Sequence, residues 1–318
     1  MNIIFLDRDT ISAQTHLRHP AFAHDWVNYP STHAAEIDAR IRDADIVVTN
    51  KVALTAAHLS HAARLKFIAV AATGTNVIDL NACAERGIVV SNIRNYAAHS
   101  VPEHTFALIF ALRRSLLAYR DSVRAGRWDA CGQFCYFDYP IRDLANATLG
   151  VIGNGTLGRA VAALGAALGM RVLIAARKES SDVAPGLTAF DAVMRESDVI
   201  TLHCPLLPET RNLIDQREFA LMTRKPLLIN TARGGLVNEY AVGPALIEGR
   251  IAGAGFDVAT SEPLTQDHPF RALLNRPDFL LTPHIGWASD EAVQALANQL
   301  IDNINAFALG TPRNVVSV

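Results

Sequence analysis

This sequence carries no excess of positive charge. Its 29 lysines and arginines are balanced by 31 aspartates and glutamates, for a formal net charge of −2. No basic field is offered to nucleic acid or to an anionic membrane. Cysteine is scarce. Cys83, Cys131, Cys135 and Cys204 are scattered, and nothing near the one close pair, Cys131 and Cys135, completes a metal-ligand set. Reduced thiols and no metal are the expectation. No apolar run reaches membrane-spanning length. The opening MNIIFLDRDT goes straight into a strand-like run, without the basic and apolar regions of an export signal. Repeats and low-complexity tracts are absent as well. These absences predict a cytoplasmic protein whose partners include neither nucleic acid nor membrane.

Half of the 318 residues are apolar, enough for more than one domain. Short apolar runs alternate with amphipathic stretches, the pattern of parallel α/β structure. NIIFLD, DIVVTN, FIAVAAT and IVVSN read as strands of a first sheet. Helical stretches near Ala34–Arg42, Thr55–His61 and Asp79–Arg86 lie between them, the last stopped by Gly87. Ser100 and Glu103 form a capping-box pattern, with Pro102 in the first turn. Phe106, Ile109, Phe110, Arg113 and Leu117 then follow at helical spacing, which predicts a long helix leading to a second unit. Trp128–Asp143 carries aromatics without a period and reads as a loop or arm. The second unit starts at Thr148, with further strands in DVITLHC, PLLINTA, IAGAGFDV and FLLTPH. Ser289 caps a last helix that runs toward Leu309 and stops at Gly310. The reading is two doubly wound parallel-sheet domains, the second inserted in the first: residues 1–98 with 289–318, and residues 99–288. Ligands are expected in the cleft that such domains enclose.

The stretch TLGVIGNGTLGRAVAALGAALGMRVLIAARK places Gly153, Gly155 and Gly158 in G-x-G-x-x-G spacing between a strand and a helix. Gly153 permits the tight turn, Gly155 lets the backbone approach a pyrophosphate, and Gly158 lets helix meet strand. Amides near Thr156 and Leu157 then face the anion. Leu157, Val161, Leu164 and Leu168 give the helix its expected buried face, and Gly169 ends it. A dinucleotide follows as cofactor. The acid that would hold an adenosine ribose is expected about 20 residues on, but Ala176 stands there, followed by Arg177 and Lys178. A carboxylate would repel a 2′-phosphate, whereas these two cations attract one, so the sequence leans to NADP over NAD. If both cations are solvated, NAD is acceptable too.

INTARGGLVNE, GFDVATSEP and LTPHIGW each place a polar residue where an apolar strand stops, at the edge where α/β sheets bind ligands. They offer Arg233, Glu262 and His284. Hydride transfer to a ketone needs an acid for the oxygen, and its reverse needs a base; His284 serves both near neutral pH. Glu262 on the other ring nitrogen would fix the tautomer and stabilise the imidazolium. Arg233 would bind a carboxylate or ketone oxygen and polarise the carbonyl. Two cations side by side favour an anionic 2-oxoacid.

With these strings, together with SVPEHTFALIFALRR, LHCPLLPETRNLI and GAGFDVATSEP, the sequence resembles the D-isomer-specific 2-hydroxyacid dehydrogenases along nearly its whole length. HIGWAS is most similar to the glycerate dehydrogenases, also called hydroxypyruvate or glyoxylate reductases. The resemblance implies a flavodoxin-like substrate domain with an inserted Rossmann cofactor domain. It implies that Arg233 binds substrate, that His284 is the acid/base and that Glu262 is its partner. It further implies a substrate-carboxylate clamp at Thr73, Gly74 and Thr75, with Asp257 holding the nicotinamide carboxamide. Cys204, Pro205 and Thr210 would line the adenosine and ribose side, Thr231 and Ala232 the nicotinamide side, and Trp287 would wall the substrate. A homodimer through roughly Ser100 to Asp143 is implied too. Pro102 and Ala176 depart from the family pattern, the latter bearing on cofactor choice. Formate dehydrogenases of the same fold pair their histidine with Gln, so Glu262 speaks against that activity. Two alternatives stay open: a reductase of bulkier 2-oxoacids such as phenylpyruvate, and a non-catalytic nucleotide sensor like the corepressors built on this fold.

Overall fold

The computed structural model describes residues 1–180 and 182–317, which divide into two compact units. One unit comprises Met1–Ala97 and Ala288–Val318, the other Ala98–Trp287. Each is built on a wholly parallel sheet, as the alternation of short apolar runs and helical stretches requires.

The first unit has five strands: β1 (Asn2–Phe5), β2 (Asp25–Asn28), β3 (Ile46–Thr49), β4 (Phe67–Val70) and β5 (Val89–Ser91). Their order is β2-β1-β3-β4-β5, the flavodoxin-like arrangement, with all pairs parallel. β3 and β4 are buried along their length, which is why they read as unbroken apolar runs. Strand β2 escaped the sequence reading: it lies at the sheet edge, and three of its four residues are exposed. The helix Asp290–Ala308 completes this unit. Ser289 Oγ caps it by accepting the Ala292 amide, and Gly310, at φ 76°, follows its end. Val293, Leu296, Leu300, Ile301 and Ile304 form its buried stripe, and Phe307 stacks on Phe67 of β4 at 4.4 Å.

The second unit has six strands: β6 (Thr148–Ile152), β7 (Arg171–Ile174), β8 (Val199–Leu202), β9 (Leu227–Asn230), β10 (Gly253–Phe256) and β11 (Phe279–Leu281). They run in the order β11-β10-β9-β8-β6-β7. The chain reverses its direction of travel through the sheet beside β6, so the turn after β6 lies at the switch point. A lone parallel bridge from Ala175 to Thr188 extends the sheet beyond β7. Apolar clusters cover both faces. One gathers Phe190, Val193, Phe219, Val242 and Phe270; the other gathers Phe106, Ile109, Leu149 and Val161.

Four local expectations are corrected. Ser100 is the first residue of the helix Ser100–Arg113 and does not cap it; its hydroxyl donates to the Gly286 carbonyl at 2.6 Å. That helix stops at Arg114, where Ser115 takes φ 49°, and Leu116–Arg124 forms a separate helix. The helix Thr156–Ala167 buries Gly158, Val161 and Gly165, while Leu164 and Leu168 are exposed. The two glycines bring the helix so close to the sheet that the buried stripe needs no leucine. Within Trp128–Asp143, a short helix Arg127–Cys131 precedes the irregular arm.

Candidate active site

The glycine turn shows how each position serves the fold or leaves room for a ligand. Gly153 has φ 113°, and a Cβ there would sit 2.5 Å from the His203 carbonyl oxygen. A Cβ on Gly158 would overlap the Gly153 carbonyl oxygen. Gly155 has open space within 4 Å of its would-be Cβ and heads the helix Thr156–Ala167, where among the described residues no side chain caps the first amides. A turn whose middle glycine is demanded by neither sterics nor φ, beside uncapped amides, fits a pyrophosphate.

At the end of β7, Ala176 is buried and its amide donates to the Thr188 carbonyl at 2.8 Å. Arg177 is exposed. The Lys178 ammonium is 2.9 Å from Glu218 Oε1, whose side chain is buried, and also donates to the Leu213 carbonyl. The two cations thus differ: one is tied into the fold and one faces outward. Beyond β8, burial pushes the Cys204 thiol up to about 11 and keeps it a thiol. Thr210 Oγ1 closes its own loop by donating to the Pro205 carbonyl and accepting from the Leu207 amide. Burial holds the His203 imidazole down at about 4, and it is a neutral partner of Thr201.

Strands β9, β10 and β11 are neighbours, and their register aligns Asn230, Phe256 and Leu281. Arg233, Glu262 and His284 all lie on the loops that leave this one edge. His284 Nδ1 and Glu262 Oε2 are 2.7 Å apart. Glu262 Oε1 accepts the Ala259 amide at 2.9 Å, so each carboxylate oxygen has a fixed partner. Arg233 is partly buried and its Nη1 donates to the Ala232 carbonyl. Asn230 fixes that loop, its side chain donating to the Arg233 carbonyl and accepting the Ala232 amide. Thr231 Oγ1 meets Thr105 Oγ1 at 2.9 Å.

His284 adopts φ 56°, a left-handed conformation that costs a non-glycine residue on the order of 1 kcal/mol. Asp257 holds it there. This carboxylate is 2% exposed and accepts the Ile285 and Gly286 amides at 2.9 and 2.8 Å and the Thr282 hydroxyl at 2.6 Å. Thr282 Oγ1 in turn pairs with His104 Nε2 at 2.9 Å. Burial alone would raise the Asp257 carboxyl; His104, Thr282 and the Gly286 and Ile285 amides outweigh it and hold the group below its ordinary value. The Trp287 indole donates to the His284 carbonyl at 2.9 Å. Asp257 and Trp287 are thus placed as braces of the histidine loop. His104, Thr282 and Asn230 were not singled out from sequence. Asn230 had a visible signal, since it ends an apolar strand directly before the arginine string; His104 had none, because its partners lie far along the chain.

In the first unit, Thr73 Oγ1 donates to the Ile93 carbonyl at 2.8 Å, and the Thr75 carbonyl accepts the Ile78 amide. Gly74 lies between them in the loop after β4. Among the described residues, no helix is long and apolar enough to cross a membrane, and no group of three His, Cys, Asp or Glu could hold a metal ion.

A family model described as D-isomer specific 2-hydroxyacid dehydrogenase, NAD binding domain, matches residues 106–286. Glycerate dehydrogenase of Methylorubrum extorquens is 48% identical over 317 residues, covering 99% of this chain and 98% of its relative. Hydroxypyruvate reductase of Blautia hydrogenotrophica is 35% identical, covering 90% and 89%. Among solved structures, an acyclic imino acid reductase in complex with NADPH and D-Arg superposes with TM-score 0.83 at 28% identity, over 99% of this chain and all of that one. The chain belongs to the D-isomer specific 2-hydroxyacid dehydrogenases, NAD(P)-dependent oxidoreductases of 2-hydroxyacids.

Proposed function

We propose that the protein reduces hydroxypyruvate or glyoxylate to the corresponding 2-hydroxyacid, with NADPH preferred over NADH. The observation that carries the chemistry is the 2.7 Å contact between His284 Nδ1 and Glu262 Oε2 on the edge that also bears Arg233. The nearly full-length similarity to glycerate dehydrogenase supports the substrate class. The nicotinamide, when bound, supplies the hydride. Arg233 holds the substrate carboxylate and carbonyl oxygen. His284 donates its Nε2 proton to that oxygen while Nδ1–H stays on Glu262, which stabilises the ring as its charge changes. Residues Thr73, Gly74 and Thr75 supply backbone amides to the substrate carboxylate. The glycine turn, with Thr156 and Leu157, holds the pyrophosphate; Cys204, Pro205 and Thr210 flank the adenosine side, and Thr231, Ala232 and Asp257 the nicotinamide side.

The cofactor preference rests on a missing acceptor and an exposed cation. Ala176 offers no carboxylate to ribose hydroxyls, and Arg177 is exposed where Lys178 is committed to Glu218. Arg177 therefore takes the 2′-phosphate. The protein acts as a cytoplasmic homodimer through the segment Ser100–Asp143; its unpaired cysteines suit a reducing compartment.

Steady-state kinetics with hydroxypyruvate, glyoxylate and phenylpyruvate against both cofactors test this reading. Hydroxypyruvate or glyoxylate with NADPH should give the highest kcat/KM. Arg177→Ala should weaken NADPH about tenfold or more and NADH by less than about twofold, since only NADPH presents a phosphate. Preference for phenylpyruvate would overturn the substrate assignment, and equal losses with both cofactors would overturn the role of Arg177.

A further inference from the structure

Against the loop that carries Glu262 lies a buried carboxylate that the reaction does not touch. Glu239 is the first residue of the helix Glu239–Ile247, capped by Asn238. Its side chain is 3% exposed. Oε1 accepts the Thr260 amide at 2.8 Å, and Oε2 accepts the Thr260 hydroxyl at 2.6 Å and His268 Nε2 at 2.8 Å. The tautomer of His268 follows from its other nitrogen. Nδ1 accepts the Phe270 amide, so the ring hydrogen sits on Nε2 and points at Glu239. Neutral donors thus converge on one buried anion, an arrangement whose desolvation makes it a weak source of stability.

What the carboxylate holds is informative. Thr260 stands two residues before Glu262, in the short loop whose Ala259 amide is bound by Glu262 itself. Two consecutive amides of that loop are therefore fixed, one by the reacting carboxylate and the next by Glu239. The same point meets the arginine loop: a Cβ on Gly234 would overlap the Ala259 carbonyl and crowd the Thr260 amide. The loop carrying Arg233 and the loop carrying Glu262 are pressed together at Gly234. Glu239, on the continuation of the first, staples the second.

We propose that Glu239, with Thr260 and His268, is a positioning group for the acid–base pair: it sets where the Glu262 carboxylate stands against His284. The inference rests on the assignment of those two residues made above. Glutamine at 239 keeps the shape but turns one acceptor into a donor, which cannot face both the Thr260 amide and the His268 N–H correctly. Valine at 260 removes the hydroxyl and keeps the bulk, and serine keeps the hydroxyl.

The test compares Glu239→Gln, Thr260→Val and Thr260→Ser in the full-length protein. NADPH affinity and melting temperature are measured first, then kcat per NADPH-binding site and KM for hydroxypyruvate. Misplacing a reacting group by a fraction of an ångström to an ångström costs about tenfold to a hundredfold in turnover. The expected result is a kcat loss of that size in Glu239→Gln and a smaller one in Thr260→Val, with NADPH affinity within about twofold of wild type. Thr260→Ser should recover most of what valine loses. Equal losses in serine and valine, or kcat per site near wild type in both Thr260→Val and Glu239→Gln, would overturn the proposal. If Glu239→Gln fails to fold, the Thr260 pair decides alone. A wild-type protein that turns over no 2-oxoacid would instead overturn the underlying functional reading.

Discussion

Gly155 and Gly158 stand in one turn and answer to different demands. A methyl group on Gly158 would collide with the Gly153 carbonyl oxygen, which is backbone and cannot swing aside. A methyl group on Gly155 meets open space, and its backbone, at φ −83° and ψ −172°, suits any residue. Gly158→Ala should therefore lose several kcal/mol of stability or fail to fold. Gly155→Ala should melt within about 2 °C of wild type yet bind NADPH about tenfold more weakly, because the methyl stands where phosphate would approach. Melting curves and NADPH titrations read both. Wild-type affinity in a folded Gly155→Ala protein would take the pyrophosphate away from this turn. The spacing of these glycines was legible because geometry permits few residues there. So was the gathering of Arg233, Glu262 and His284 at one sheet edge, each a polar residue beyond the end of an apolar strand. The hydrogen-bond partners behind Asp257 were not legible. His104 and Thr282 meet across 178 residues of sequence, and a single histidine in a helix carries no mark of its partner.

Secondary structure was legible where burial imposes a pattern and illegible where it does not. Central strands are apolar throughout because both faces are covered. The edge strand β2, with the sequence Asp-Trp-Val-Asn, carries no such run. The start of the helix Ser100–Arg113 shows how a local motif can be correct in composition and wrong in role. Ser100 and Glu103 have capping-box spacing, but the helix begins one residue earlier, behind His99. The freed hydroxyl, buried, donates to the Gly286 carbonyl and so ties this helix to the histidine loop. Aspartate separates the two roles. It is as good an N-cap as serine, so a capping position would tolerate it. In the observed geometry it would bury a carboxylate against a carbonyl oxygen. Ser100→Asp should accordingly cost about 3 kcal/mol or more by urea denaturation, and Ser100→Ala about 1–2 kcal/mol. A Ser100→Asp protein as stable as wild type would restore the capping role.

At the scale of the molecule, the family match covers residues 106–286, which fall within the unit Ala98–Trp287, and leaves one feature of that unit for physics to explain. The arm after Arg127 is well tethered. Tyr119 Oη donates to the Tyr139 carbonyl, Arg127 pairs with Asp138 at 2.8 Å, and the Trp128 indole donates to the Phe134 carbonyl. Yet this tethered arm leaves Phe134 88% and Phe137 81% exposed, beside exposed Leu116, Val123 and Trp128. A monomer rarely shows water so much aromatic surface in one segment, whereas interfaces between subunits are rich in it. From sequence the arm could not be assigned an element, because a segment whose large side chains face outward has no period set by its own core. In a twofold dimer through this arm, each phenylalanine would contribute about 2–3 kcal/mol on burial, and the axis would count each twice. Sedimentation should therefore find wild type a dimer at micromolar concentration. The double variant Phe134→Ser, Phe137→Ser should sediment as a monomer and keep a wild-type circular dichroism spectrum, since neither side chain belongs to a core. A dimer that survives both substitutions would move the interface elsewhere, and a monomeric wild type would leave the arm's aromatic surface to another partner.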